Sequence, residues 1–272
     1  MGARRRRKKR SLADQADRHT LYQQAVQSPE GDIEYFLQWF ESYRGRIPRR
    51  LREDFCGTAL LSCAWVEGDE SRHALGVDLD AEVLNWAREH NLARLDAGAL
   101  RRLRLLHSDV RQVTSPRVDI ACAMNFSFCV FKERAELVRY FQAVRKGLFN
   151  HGMFVCEMYG GTEAIIAAEE RRELDEATYV WEQISFNPIT NETLCAIHFE
   201  FPDRSRLRGA FTYDWRLWSL PELSDALSEA GFSSIHFWWE EVDEEGDGTG
   251  VYRETREEEN QETYLVYVVA LA

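Results

Sequence analysis

From Arg50 onward, short runs typical of β-strands alternate with segments of helical spacing. This alternation predicts βαβ units and a parallel sheet. Between residues 132 and 149 the apolar side chains, from Leu137 to Leu148, recur on one face of an amphipathic helix. Right-handed crossovers place such a helix on a face of the sheet, between the last two strands of the alternation. The five predicted strands are 51–56, 73–79, 102–107, 118–125 and 153–159.

The regions before and after this alternation show other patterns. Two helices are predicted within residues 21–43, placed to cover one edge of a crevice. After Tyr159, three runs are typical of consecutive antiparallel strands and indicate a small β insertion or lid over about residues 178–215. A helix begins at Ser219, whose spacing with Glu222 is that of a capping box. The three insertion strands are 179–186, 193–201 and 207–213, and two final strands are 234–242 and 263–271.

The charge balance changes along the chain. The 272 residues hold 34 basic and 46 acidic side chains, and seven of the basic ones fall within residues 1–10. The remainder carries 27 bases against 46 acids, a net charge of −19, which repels phosphate backbones from its general surface. We interpret residues 1–14 as a basic disordered tail, with a nucleic-acid or localisation tether as the alternative. The acidic runs 240–247 and 254–259 are interpreted as a solvated loop.

The sequence predicts neither a membrane span nor a secretory signal. The longest uncharged apolar run, residues 120–131, is shorter than the roughly 18 to 20 residues that cross a bilayer, and no apolar core follows the basic start. The six cysteines lie mostly in apolar runs and form no C-x-x-C pair. Buried free thiols are therefore favoured over zinc or disulfide sites. We expect a cytoplasmic protein without a metal site.

Three acidic residues follow three consecutive predicted strands. Glu53 opens the segment EDFCGTALL, in which the chain bends through Gly57 into a helix. Asp78 closes the second strand 21 residues after Gly57, about the interval at which an acid meets ribose hydroxyls, and Asp109 follows the third strand. Two of these acids also have a simpler interpretation: Asp78 assists the helix cap Asp80, and Asp109 starts a turn. As an ordered set they favour a ligand site.

The bend after the first strand narrows the choice of ligand. A pyrophosphate needs G-x-G-x-x-G for close backbone approach, but here Phe55 and Ala59 flank the single Gly57, and no P-loop motif is present. NAD, FAD and nucleoside triphosphates are therefore poor candidates. An adenosyl ligand with a positive sulfonium and no phosphate, S-adenosylmethionine, suits one glycine and an acid-lined crevice.

With these residues the chain resembles the class I S-adenosylmethionine-dependent methyltransferases, from about Leu51 to Tyr159 and over the last two strands. EDFCGTA is similar to the first motif of that family, and NFSFCVF and YDWRLW are similar to segments of uncharacterised bacterial members. The resemblance implies a Rossmann-like α/β sheet, mostly parallel with an antiparallel seventh strand at 263–271. It also implies helices on both faces of the sheet. The implied cofactor is S-adenosylmethionine.

The resemblance also implies roles for individual residues. Asp78 would hold the ribose hydroxyls, Leu79 would pack against adenine, Asp109 would accept from the adenine amine, and the Val110 backbone would face the ring. The full cofactor-binding set is Glu53, Gly57, Thr58, Asp78, Leu79, Asp109, Val110 and Asn125. Asn125, in MNFSF, distantly resembles the N-P-P-Y motif of nucleobase amino-methyltransferases, with a strand-capping asparagine as the alternative.

Residues that would bind a methyl acceptor are less clearly marked. Segment 211–218 groups four aromatic residues around Asp214 and Arg216, which indicates either a substrate lid or a packed core with those two residues paired. The substrate-binding candidates are Tyr159, Tyr213, Arg216 and Trp218. Glu157 and Tyr159 are available as a base, with neither assigned. His198 is either a base or, more simply, a strand residue with its hydrogen bonds satisfied.

Three functions are compatible with this pattern. The first is a methyltransferase that acts on a small molecule. The second is a nucleobase or RNA amino-methyltransferase tethered by the basic tail, and the third is a non-catalytic adenosyl-binding module.

Overall fold

The computed structural model describes residues 10–243 and 248–272, and within them no helix is long and apolar enough to cross a membrane. The predicted basic tail falls mostly on residues 1–9, which lie outside the described part. The helices are α1 (Arg18–Val26), α2 (Pro29–Arg44), α3 (Leu60–Glu67), α4 (Ala81–His90), α5 (Ala97–Arg102), α6 (Arg134–Gly147) and α7 (Leu220–Glu229). The strands are β1 (Arg50–Asp54), β2 (His73–Asp78), β3 (Leu103–His107), β4 (Val118–Ala123), β5 (Leu148–Gly160), β6 (Ala168–Glu173), β7 (Thr178–Asn187), β8 (Glu192–Glu200), β9 (Arg206–Arg216), β10 (Ser234–Val242), β11 (Gly248–Thr255) and β12 (Tyr264–Leu271).

The chain forms two compact units. The larger spans Ser28–Ile165 and Trp215–Ala272, and the smaller joins the segment up to Gln27 with Ile166–Asp214. The larger unit contains an eight-stranded sheet in the order β11-β10-β12-β5-β4-β1-β2-β3. Strands β3, β2, β1, β4 and β5 are parallel, and β12 runs antiparallel between β5 and β10. The predicted parallel core with an antiparallel late strand is therefore confirmed.

The smaller unit is a four-stranded antiparallel sheet in the order β6-β7-β8-β9 with α1 packed against it. Leu21 and Ala25 of α1 share an apolar cluster with Ile197 and Phe199 of β8. Ser11–Asp14, the end of the predicted tail, forms a turn that belongs to this unit, since the Leu12 N–H donates to Asp203 over 2.9 Å.

Two strands, β6 and β11, were not predicted from the sequence. β6 has the sequence AEERRE and is exposed along its length, so it shows no apolar alternation. It extends the predicted insertion of 178–215 to a sheet over 168–216. β11 pairs antiparallel with the sheet-edge strand β10 and covers residues adjoining the predicted acidic loop. The loop interpretation is therefore wrong for residues 240–242 and 254–255, which lie in strands, whereas 244–247 lie outside the described residues.

Several other features predicted from the sequence, among them two helix caps, are present in the structure. The Ser219 side chain accepts from the Glu222 N–H while Glu222 returns a bond to Ser219, so the predicted capping box is confirmed. The Asp80 carboxylate caps α4 by accepting from the N–H groups of Glu82 and Val83. All six cysteines are free and buried, as predicted.

The central strand β1 buries charged side chains on both of its faces. Arg52 is fully buried, donates to the Val113 carbonyl over 2.6 Å and pairs with Asp54 over 2.8 Å. The Tyr140 hydroxyl of α6 donates to the same Asp54 carboxylate over 3.0 Å. Glu53, on the opposite face, accepts from both the backbone N–H and the hydroxyl of Ser62 in α3. Burial raises the pKa of Glu53 to about 8.

We expect Asp54→Asn to destabilise the protein by about 3 kcal/mol or more, because it leaves the Arg52 guanidinium buried without an anion. Urea unfolding measures the change. Asp69→Asn is the matched control, since Asp69 is exposed and its carboxylate accepts hydrogen bonds from the local turn residue Ser71. Equal stability of the two variants would contradict a structural role for the buried pair.

The Glu53 carboxyl should make stability fall as pH rises. Between its ordinary pKa of 4.5 and about 8, the folded state keeps a proton that the unfolded state has lost, so alkaline conditions favour unfolding. Glu53→Gln should flatten the fall in unfolding free energy across this range, while the exposed-site control Glu229→Gln should not. A wild-type slope in Glu53→Gln would show that Glu53 does not contribute.

Candidate functional site

The turn after β1 takes a left-handed backbone at alternate residues. Phe55, Gly57 and Ala59 have φ angles of 57°, 51° and 56°. The Cys56 N–H donates to the Val77 carbonyl over 3.0 Å, and the Ala59 N–H closes the turn on the Cys56 carbonyl over 2.7 Å. This conformation favours glycine, yet two of the three residues have side chains. The positions that depart from the glycine pattern in sequence therefore keep the backbone conformation that glycine allows.

Gly57 and Asp78 meet at the carboxyl ends of β1 and β2. The Gly57 N–H donates to Asp78 Oδ2 over 2.8 Å, and the Asp80 N–H donates to Asp78 Oδ1 over 2.9 Å. A Cβ placed on Gly57 would meet no atom within 4 Å, so the turn faces open space. Burial is the main cause that raises the pKa of Asp78.

The two residues beside this pair differ in exposure. Leu79, directly after Asp78, leaves 68% of its surface exposed, which is unusual for a large apolar side chain beside a buried strand. Thr58 is buried, and its backbone carbonyl accepts from the Asn91 side chain over 2.8 Å. The first residue therefore offers an apolar surface at the strand ends, and the second fixes the turn to the end of α4.

The end of β3 is tied to the same edge of the sheet. The Ser108 N–H donates to the Asp78 carbonyl over 2.9 Å, which places Asp109 one residue from that contact. The Asp109 carboxylate accepts from Arg111 Nε over 3.0 Å and caps the turn that buries Val110. This ion pair with Arg111 is the main cause that lowers the pKa of Asp109. Asp109 thus combines the predicted turn role with a place near the predicted site.

Glu53 does not join the other two acids in an open crevice. Its carboxyl is buried behind the turn and holds Ser62 of α3. The structure thus brings Gly57 and Asp78 into contact and ties the end of β3 beside them, while Glu53 is buried and bonded to α3.

Asn125 follows β4 in a strained conformation next to β5. Asn125 and Phe126 have φ angles of 52° and 58°, and the Asn125 N–H donates to Glu157 Oε2 over 2.5 Å. The Phe126 ring lies 4.7 Å from that of Tyr159, measured between centroids. Consecutive left-handed residues that are not glycine cluster at functional sites. Two predicted residues, Asn125 and Tyr159, are therefore neighbours at the ends of β4 and β5.

The remaining substrate candidates are engaged elsewhere in their units. Arg216 pairs with Glu222 over 2.9 Å and lies over the Trp218 ring. Trp218 is buried and donates to the Phe131 carbonyl, which fits the packed-core alternative. Tyr213 packs near Trp181 within the smaller unit.

His198 has both ring nitrogens hydrogen-bonded. One nitrogen lies 2.7 Å from Glu182, and the other accepts from the Gly209 N–H over 2.7 Å. This matches the simpler interpretation of a strand residue with its hydrogen bonds satisfied.

Sequence reasoning missed two residues near the end of β5. The Tyr267 hydroxyl of β12 donates to Asp32 of α2 over 2.5 Å, and Tyr267 also lies opposite Glu157 in the strand register. From the sequence, Asp32 is interpreted as an ordinary acid in the first turn of a helix. Tyr267 reads as one apolar position in a buried strand. Only the folded chain brings them together.

No protein-family model and no curated protein matches this sequence. Solved structures do match it. An S-adenosylmethionine-dependent methyltransferase from Clostridium acetobutylicum aligns with a TM-score of 0.69 at 15% identity, over 93% of this chain and 96% of that one. An amino pentose methyltransferase from Micromonospora echinaspora, with S-adenosylmethionine bound, aligns with a TM-score of 0.64 at 15% identity, over 93% and 95%.

A sugar N-methyltransferase from Streptoalloteichus aligns with a TM-score of 0.63 at 17% identity, over 100% of this chain and 98% of that one. Identities this low report the fold alone. The resemblance drawn from the sequence is confirmed at that level: the chain has the class I methyltransferase fold.

Proposed function

We propose that this protein is an S-adenosylmethionine-dependent methyltransferase whose acceptor is a small molecule. The observation that carries the proposal is the contact between Gly57 and Asp78 at the carboxyl edge of the sheet. Strand β1 lies between β2 and β4, so the chain reverses its direction of strand addition beside this turn. Open α/β sheets bind ligands at such a switch point.

The residues at this edge fit an adenosyl ligand. Open space above Gly57 admits close approach to the backbone, and the Asp78 carboxylate can accept hydrogen bonds from two ribose hydroxyls. The exposed Leu79 would offer an apolar surface to adenine, and Asp109 and the Val110 backbone at the end of β3 would hold the other edge of the ring. Thr58, within the turn, and Asn125, after β4, would complete the set. When bound, the sulfonium supplies an activated methyl group.

The chain's own contribution is then to orient an acceptor and exclude water. A reacting atom must lie about 3 Å from the methyl carbon in a water-poor pocket, and no covalent intermediate is needed. The strained Asn125 and Phe126, with Tyr159 beside them, form the wall of the site at the ends of β4 and β5.

A small acceptor is favoured over a nucleic acid. Outside residues 1–10 the chain carries the net charge of −19 given above, and the basic residues that would tether RNA fall mostly on the part not described. Structures that share the fold include those of an amino pentose methyltransferase and a sugar N-methyltransferase. A turnover assay separates an enzyme from a non-catalytic adenosyl-binding module.

Asp78→Ala should weaken binding of S-adenosylmethionine about tenfold or more, because hydrogen bonds to a charged group contribute roughly 1.5–3 kcal/mol. Isothermal titration measures this effect. Asp96→Ala is the matched control, since Asp96 also accepts from two backbone N–H groups at a helix start, yet caps α5. Equal affinities in both variants, with both proteins folded by circular dichroism, would remove Asp78 from the site.

Gly57→Ala should lose binding of the donor as well as stability. A methyl group there enters the space that the ligand needs, and a left-handed non-glycine residue costs on the order of 1 kcal/mol. Gly45→Ala is matched in strain, because Gly45 has φ +65° and equally open surroundings at the end of α2. Both variants should lose similar unfolding free energy, and only Gly57→Ala should lose affinity for S-adenosylmethionine. Unchanged affinity would place the ligand elsewhere.

The activity itself is tested by transfer of a labelled methyl group from S-adenosylmethionine to the small-molecule and RNA fractions of a cell extract. Label in small molecules that disappears with Asp78→Ala supports the proposal. Label in RNA, or none in either fraction, contradicts it.

A further inference from the structure

The end of β5 presents a carboxyl group beside the proposed methyl-transfer point. Glu157 Oε2 accepts the Asn125 N–H over 2.5 Å, and this bond holds the end of β4 in its left-handed conformation. Glu157 lies on β5, and only β4 separates this strand from β1, whose turn carries Gly57.

Groups from four other elements face Glu157. Tyr267 of β12 lies opposite it in register and hydrogen-bonds with it, and the same hydroxyl reaches Asp32 of α2. Glu240 of β10 and Tyr252 of β11 interact with it electrostatically. In residues 10–243 and 248–272, no lysine or arginine forms an ion pair with Glu157, Asp32 or Glu240.

No lysine or arginine among the described residues is placed to balance these carboxyls when they ionise. Burial and the neighbouring Asp32 raise the pKa of Glu157 to about 8, and burial raises the pKa of Asp32 to about 6. A buried carboxylate without a partner is costly, and a bound cation removes that cost. The arrangement therefore favours a ligand that arrives with a positive charge.

Aromatic rings stand beside the carboxyls. The ring centroids of Tyr252 and Tyr267 are 4.7 Å apart, and those of Tyr35 and Tyr252 are 5.2 Å apart. Faces of such rings attract ammonium groups. Rings and carboxyls together give this end of the site the chemistry that recognises an organic cation.

We propose that the methyl acceptor is an amine and that Glu157 is the catalytic residue that takes its proton. The proposal rests on the proposed methyltransferase function. It adds to it the acceptor class and the group that receives the proton.

The amine acceptor enters the site as an ammonium ion. The Glu157 carboxylate removes one proton from nitrogen, which frees the lone pair. The nitrogen forms a bond to the methyl carbon of S-adenosylmethionine, and the carbon–sulfur bond breaks with its electron pair left on sulfur as a neutral thioether. The product leaves as a methylated ammonium ion, and Glu157 returns its proton to water.

The acidity of the acceptor decides between an amine and a hydroxyl. An alkylammonium ion has a pKa near that of lysine, about 10.4, and the raised pKa of Glu157 makes its carboxylate a stronger base towards such an ion. Water has a pKa of about 15.7 and an alcohol is similar, so either one gives up a proton far less readily than an ammonium ion. Glu157 can therefore serve an amine acceptor far better than an alcohol.

Glu157→Gln is the test variant, because its amide oxygen can still accept the Asn125 N–H. Glu229→Gln, at an exposed position on α7, is the control. We expect Glu157→Gln to bind S-adenosylmethionine within about threefold of wild type and to lose about a hundredfold or more in turnover at neutral pH. Its rate should climb with pH up to the pKa of the acceptor, whereas the wild-type rate should level off earlier.

This pH readout separates a proton acceptor from a structural residue, because a structural defect would lower the rate at every pH. Asp32, Glu240, Tyr252 and Tyr267 are present in both proteins, so the two differ only in the carboxyl at position 157. Wild-type turnover in Glu157→Gln, or a uniform loss without recovery at high pH, overturns the role given to Glu157.

The acceptor class is read directly with donor carrying a carbon-13 methyl group and the small-molecule fraction of a cell extract. The carbon chemical shift of the product distinguishes methyl on nitrogen from methyl on oxygen, sulfur or carbon. N-methyl products support the inference, and products methylated on any other atom overturn it while leaving the methyltransferase function intact. Absence of any labelled product, together with no binding of S-adenosylmethionine, defeats the proposed function itself.

Discussion

The hydrogen bond from the Gly57 N–H to the Asp78 carboxylate joins the two elements on which the candidate site is built. The turn that presents this N–H holds left-handed residues at 55, 57 and 59, each non-glycine one costing about 1–3 kcal/mol. That strain persists because Ala59 is fully buried and Phe55 packs against Phe131 and Tyr140. The packing below the turn therefore fixes the geometry above it.

The two faces of the central sheet differ in how their buried charged side chains are paired. On the face towards α6, Arg52 and Asp54 neutralise each other and Tyr140 completes the network. On the face towards α2 and α3, the carboxyls of Glu53 and Glu157 are held by hydrogen bonds alone among the described side chains. The first arrangement stabilises a fold by internal pairing. In the second, burial raises the pKa of both carboxyls and favours their neutral forms.

Much of the fold could be predicted from the sequence because its signals are local. Strand periodicity, the Ser219 capping box and the interval from Gly57 to Asp78 all lie within short segments. β6 could not be predicted, because an exposed edge strand of charged residues has no alternation to detect. The hydrogen bond between Tyr267 and Asp32 joins residues 235 positions apart, and no local sequence pattern at either residue predicts it. The sequence therefore predicts the residues at the ends of β1 and β2, Gly57 and Asp78, but not the contact between Asp32 and Tyr267.

The smaller unit is assembled from two stretches of chain that are far apart in sequence. Bonds from Ala13 to Ser205 and between Ala25 and Arg172 span 192 and 147 residues. During synthesis, α1 leaves the ribosome long before the sheet that covers its apolar side. Most of the larger unit is synthesised between α1 and that sheet, and contacts between segments so far apart in sequence form slowly. Nascent chains should thus pass through a stage in which Leu21 and Ala25 are uncovered, a stage at which chaperones find an apolar surface to hold.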